Sequence, residues 1–159
     1  MKKKNIIISA IVFVVMGGMF FLWSGVIKSS SATDNQANKV KAVVYKSPTC
    51  GCCVNHIAYL KENSFDVETI ATNDMQSIKK ENGVPSSVES CHTTLIDGYF
   101  IDGHVPIEAI DKLLTEQPKI DGIALPGMPA GSPGMPGTKS GTFDVVSVND
   151  GIVSEFISL

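Results

Sequence analysis

Val43-Val44-Tyr45-Lys46-Ser47-Pro48-Thr49-Cys50-Gly51-Cys52-Cys53 joins a β-branched run to three thiols, and the periodicity on either side of those thiols decides the fold. Residues 40–45 are rich in valine and end at Ser47-Pro48, where proline withdraws a backbone donor and stops a strand. Beyond the cysteines, Val54, Ile57, Leu60 and Phe65 recur at near-helical spacing. The stretch therefore predicts a strand, a turn carrying the thiols, and a helix. Cys50 stands where the strand gives way to the helix, a position at which backbone N–H groups and the helix dipole favour a thiolate.

Downstream, residues 65–71 alternate as a second strand, and residues 74–82 read as a short polar helix opened by Asn73 or Asp74 and stopped by Gly83. Residues 93–96 and 99–101 flank Asp97-Gly98, a pair suited to a two-residue hairpin turn because both positions need positive φ. Pro106 opens a third helix with Ile107, Ile110, Leu113 and Leu114 on one face, closing before Pro118. The order βαβαββα is that of an α/β, thioredoxin-like domain. Residues 123–137, rich in Gly, Pro and Met, are too poor in periodic apolar residues for a helix or a long strand and are expected to form a loop or lid. Residues 142–148 and 152–157, around Asn149-Asp150-Gly151, predict an added β-hairpin that extends the sheet or caps its edge.

Upstream, Lys2, Lys3 and Lys4 precede an uncharged, predominantly apolar run over residues 6–27. A spanning helix needs ~20 such residues, whereas the apolar part of a cleavable signal is ~7–15 long. Residues 1–28 thus read as an N-terminal transmembrane helix, an anchor, with cleavage within 29–33 as the alternative. The lysines place the short end inside and the rest outside. Residues 29–39, polar and without periodicity, read as a flexible linker, and 40–159 as one thioredoxin-like metal-binding domain. The expected location is the cell membrane, single-pass, with the domain on the extracytoplasmic (periplasmic) side.

After residue 28 there are nine lysines, no arginine and sixteen acids, a formal balance of −7. Nucleic acid, which demands clustered cations, is excluded as a partner. A negative surface is compatible with collecting cations.

The cysteines admit three readings. Exported cysteines commonly pair, which allows a structural disulfide. Cys50 and Cys53 form a C-x-x-C pair, which allows a thiol–disulfide oxidoreductase with Cys50 as nucleophile and Cys53 as resolving thiol. Cys52 turns the pair into C-x-C-C, and three sulfurs within four residues exceed what a redox pair requires. Crowded thiolates suit soft copper(I). Zinc is a weaker fit, because its usual sites pair two C-x-x-C units.

Cys91 precedes the hairpin in Ser90-Cys91-His92-Thr93, where redox enzymes of the thioredoxin-like fold present a proline. With the turn at Asp97-Gly98, Gly103 lies opposite His92, so Cys91, His92 and His104 should gather at one end of the hairpin. Either histidine could ligate a metal or orient the thiolates. His56 lies four residues after Cys52, a spacing that allows a shared helical face. Met128 and Met135 sit on the Gly/Pro loop, as soft thioether ligands or as adaptable apolar fillers.

These motifs, with Gly83-Val84-Pro85, Gly98-Tyr99, Gly103-His104-Val105-Pro106 and Pro126-Gly127-Met128-Pro129, resemble a bacterial family of formerly unknown function. Its members are copper-resistance-associated, periplasmic metal-binding proteins with a thioredoxin-like domain. The resemblance runs from about residue 43 to 134. It implies copper binding through Cys50, Cys52, Cys53 and Cys91, with His92, His104, Met128 and Met135 in support, and it supplies no catalysed reaction. The family tends to carry an aromatic residue and then a histidine along the helix after the cysteines, where this chain has His56 and Tyr59. The expected function is extracytoplasmic handling of copper(I) by a non-enzymatic binder, with a copper donor or acceptor protein as partner and the oxidoreductase as the alternative.

Overall fold

Strand β1 (Lys41–Lys46) turns Ala42, Val44 and Lys46 inward and its other residues outward, the alternation of a pleated strand. The computed structural model describes residues 39–159. Helix α1 (Gly51–Glu62) is the crossover that lets β2 (Asp66–Ala71) return parallel to β1. It buries Cys53, His56, Ile57 and Leu60, one stripe of a helix. Helix α2 (Met75–Glu81) is capped by the Asp74 carboxylate, which accepts from Ser77 N at 3.1 Å.

The hairpin of β3 (His92–Ile96) and β4 (Tyr99–Asp102) turns at Asp97 and Gly98, with φ 49° and 85°. Pro106 introduces α3 (Ile107–Glu116), which buries Ala109, Ile110 and Leu113. The stretch expected to be loop begins differently: β5 (Gly122–Ala124) pairs parallel with β4. Its three residues are all buried, so it offers no alternation from which a strand could be read. β5 also joins the terminal hairpin, β6 (Asp144–Asn149) and β7 (Ile152–Ser158), to the rest of the sheet.

Among the described residues one mixed, seven-stranded sheet results, in the order β2-β1-β3-β4-β5-β6-β7, with three helices. Its larger core packs Val44, Ile96, Ile101, Ile123 and Val145 against Ile57 and Leu60 of α1 and Ile110 and Leu113 of α3. A smaller core on Phe100, Ala124 and Val148 is covered by Val84 and Val88, which come after α2. The expected transmembrane helix lies outside the described residues. Among the described residues no helix is long and apolar enough to cross a membrane.

Strand register positions the site. Lys46, the last residue of β1, pairs with His92, the first of β3, and Thr93 pairs with Asp102, the last of β4. The end of the sheet at which β1 runs out into the cysteines is therefore the end at which β3 starts and β4 stops.

Candidate metal centre

Cys50 is the N-cap of α1, with φ −73° and ψ 100°, and its N–H donates to Ser47 O at 3.1 Å. A disulfide joins Cys50 to Cys53, so ligation by either sulfur requires reduction first. Cys52 and Cys91 are free thiols, each partly buried. Cys52 Sγ lies 3.6 Å from Cys50 Sγ, and Cys53 Sγ lies 3.8 Å from Cys91 O. The four sulfurs fall within 4.8 Å of one another.

Cys91 belongs to a second group as well, since its sulfur and one ring nitrogen each of His92 and His104 also lie within 4.8 Å of one another. Cys91 Sγ is 3.2 Å from His92 Nδ1 and 3.1 Å from His104 Nε2. The hairpin register does this: Gly103 N donates to His92 O at 3.0 Å, and Gly103 turns the chain with φ 88°. A side chain at Gly103 would also meet Ser90 Cβ at 2.7 Å and Leu125 O at 2.8 Å. The gathering of Cys91, His92 and His104 anticipated from sequence is present.

His56 is also fully buried, but it meets His92 rather than Cys52: His56 Nδ1 and His92 Nε2 are 2.9 Å apart. Its Nε2 lies 3.2 Å from Val105 O. The loop after β5 closes over this end of the helix. Asn55 Nδ2 donates to Gly134 O at 3.2 Å, and His104 Nδ1 lies 2.7 Å from Pro133 O. A Cβ at Gly134, where φ is 82°, would come within 2.6 Å of His56 N. Met135 comes directly after it and is half-buried, whereas Met128 is 40% exposed with φ 47°.

One support was invisible in the sequence. Lys79 of α2 and Asp102 of β4 form an ion pair at 3% and 0% side-chain exposure. Asp102 Oδ2 accepts from Thr93 Oγ1 at 2.6 Å and from Lys79, while Oδ1 accepts from Ser90 N at 2.5 Å. Burial pushes the Asp102 carboxyl up, against the pull of Lys79 and these hydrogen bonds. The carboxylate thus holds the residue before Cys91 from a position two residues before His104.

The electrostatics favour neutral groups until a cation arrives. Burial lowers the pKa of His56 to about 4, with the Val105 carbonyl opposing and His104 adding a small push downward. Burial and then the neighbouring His56 and His104 hold His92 well below its ordinary value, and burial lowers His104 against the pull of Pro133 O. Burial and then Cys52 push the Cys91 thiol up to about 12. A bound metal ion reverses this logic, since a coordinating thiol gives up its proton.

The metal-free protein should lose stability in acid. Between pH 6.5 and about 4 the unfolded chain protonates His56 while the folded chain does not. Stability is therefore full above pH 6.5 and falls with pH, by about 3 kcal/mol from His56 alone, with His92 acting in the same direction. Urea midpoints measured from pH 7.5 to 4.5 should fall steadily; a flat profile would contradict buried neutral imidazoles.

Four cysteine sulfurs and two buried imidazoles converge at one end of the central strands of an α/β domain, a set of soft donors that could hold a metal ion. Residues 88–135 match a sequence family described as "Protein of unknown function, DUF411". Two solved structures, of "Copper resistance protein copG" in Forms 1 and 2, resemble the chain at 40% identity and a TM-score of 0.71. The likeness covers 77% of this chain and 99% and 98% of those chains for Forms 2 and 1. No curated protein matches. The chain belongs to this copper-resistance-associated family of formerly unknown function.

Proposed function

We propose that the domain binds and handles copper(I) on the extracytoplasmic side of the membrane, tethered by residues 1–28, in copper resistance or homeostasis. The observation that carries this reading is Cys91, whose sulfur belongs to both the four-sulfur group and the sulfur–imidazole group. Thiolate and imidazole donors in this density suit a soft monovalent ion. Cys52, Cys91, His92 and His104 are the donors open to it while the disulfide stands; Cys50 and Cys53 join after reduction. Met135, beside the helix contact at Gly134, and the exposed Met128 are candidate thioether donors. Zinc is the weaker fit for the same set. A copper donor or acceptor protein is the partner this function calls for. The element order β1-α1-β2-α2-β3-β4-α3 supports a thioredoxin-like domain extended by β5 to β7.

Titration of the full-length chain with copper(I), without oxygen and against a competing chelator, tests the reading. Wild-type protein should strip copper(I) from the chelator, and it should bind more after a dithiol has opened the disulfide and been removed. Copper(I) uptake that ignores reduction and all four Cys-to-Ser substitutions would refute it.

The Cys50–Cys53 disulfide at a helix start favours a second reading, a thiol–disulfide oxidoreductase. Against it, the residue before β3 is Cys91 rather than proline. Metal-free protein that fails to reduce a disulfide substrate would count against the enzyme.

A further inference from the structure

Two hydrogen-bonded routes end on Cys91, and each begins at a backbone carbonyl. A carbonyl oxygen has no proton to give, so the ring nitrogen that faces it must carry one. His56 Nε2, facing Val105 O, is therefore protonated. His56 is fully buried and its Nδ1 faces a second imidazole rather than a carboxylate, so the ring is neutral, with one N–H and a bare Nδ1. That bare nitrogen, 2.9 Å from His92 Nε2, can only accept, so His92 carries its proton on Nε2. The His92 ring is equally buried and faces an imidazole and a thiol, so it too is neutral, and its bare Nδ1 faces Cys91 Sγ at 3.2 Å. The second route is shorter: His104 Nδ1 donates to Pro133 O, leaving Nε2 bare toward the same sulfur at 3.1 Å.

Two ring lone pairs thus meet a sulfur that has at most one proton to offer. Each is aimed there by a carbonyl on the far side of its ring or chain of rings. We propose that His56 is a positioning residue, not a ligand: by accepting from His92 Nε2–H it fixes the tautomer whose Nδ1 lone pair faces Cys91, keeping that nitrogen free to bind a cation. Without His56, the buried Nε2–H of His92 has no partner, and a proton on Nδ1, donated toward Cys91, becomes the satisfied alternative. Position 56 is well held for this purpose, because the loop at Gly134 packs directly onto its backbone. The tautomer follows from the hydrogen-bond geometry and the burial of both rings; its consequence for metal affinity rests on the copper(I) reading.

The test uses the full-length chain, 15N-labelled and metal-free, with long-range proton–nitrogen NMR of the imidazoles at pH 7.5. The expected spectrum has His56 and His92 protonated on Nε2 and His104 on Nδ1. His56→Asn, whose amide oxygen can stand in for Nδ1, should keep His92 protonated on Nε2. His56→Phe should move the His92 proton to Nδ1 and weaken copper(I) binding about 10–100-fold, the usual range when a ligand's outer partner is lost, while His56→Asn stays near wild type. If His56→Phe fails to fold, the wild-type and His56→Asn spectra decide. Three outcomes overturn the proposal: His92 protonated on Nδ1 in wild type, an unchanged tautomer in His56→Phe, or a copper(I)-induced nitrogen shift showing His56 itself ligated. Expected tautomers in a protein that takes up no copper(I) would uphold the role of His56 and refute the copper(I) reading.

Discussion

Asp102→Ala should destabilise the domain by about 3–5 kcal/mol, because it strips a buried cation of its partner. Lys79 is 2% exposed and has two side-chain partners, Asp102 and Thr93 Oγ1. Once the carboxylate is gone, the ammonium must stay charged in the interior, lose its proton, or drag α2 outward. Ser90 N and Thr93 Oγ1 lose their acceptor in the same step. The urea midpoint should fall, with a largely unchanged slope if two-state unfolding holds. The double variant Lys79→Met, Asp102→Leu removes both charges and should recover much of the loss, since an apolar replacement of a whole buried pair is often nearly neutral. A loss below about 1 kcal/mol in Asp102→Ala, the range of exposed pairs, would show that water reaches the pair and that it does not anchor the end of the sheet carrying Cys91.

That anchor also marks where the sequence stopped being readable. The gathering of Cys91, His92 and His104 was legible because Asp97-Gly98 fixes the hairpin turn, and a fixed turn fixes which residues face each other. The thiols at the junction of β1 and α1 were legible for a similar reason, a β-branched run stopped by proline. Lys79 was not, because a lysine in a seven-residue polar helix reads as solvated, and only the fold brings Asp102 beneath it, 23 residues on. The partner of His56 was not legible either. Its spacing from Cys52 allows a shared helical face, but Val54 is 53% exposed and the buried stripe runs through Cys53, His56, Ile57 and Leu60, which brings His56 to His92. A buried thiol packs as a small apolar group, and counting Cys53 as one would have turned His56 inward. Whether Cys50 and Cys53 stand as a disulfide or as thiolates was open in the sequence for a chemical reason: the same spacing serves both.

Cys91→Ser should weaken copper(I) binding on the order of 10³-fold, about 4 kcal/mol, the scale of losing one partner of a buried charged contact. Among the described residues no other cysteine belongs to both donor groups, so its loss leaves the imidazoles without a thiolate and the thiols at the start of α1 without a link to them. The substitution separates binding from folding. A serine hydroxyl is nearly the size of a thiol and can still donate to either bare imidazole nitrogen, so metal-free stability should change by no more than about 1 kcal/mol. Protons supply an independent readout. With its pKa pushed up to about 12, Cys91 holds its proton at neutral pH until a cation displaces it. Wild-type protein loaded at pH 7.5 in weak buffer should therefore release a proton from this residue that Cys91→Ser does not release. A variant that binds copper(I) within about threefold of wild type, a difference under 1 kcal/mol, with proton release unchanged, would move the centre away from Cys91. The thiols at the start of α1 would then have to hold the ion alone.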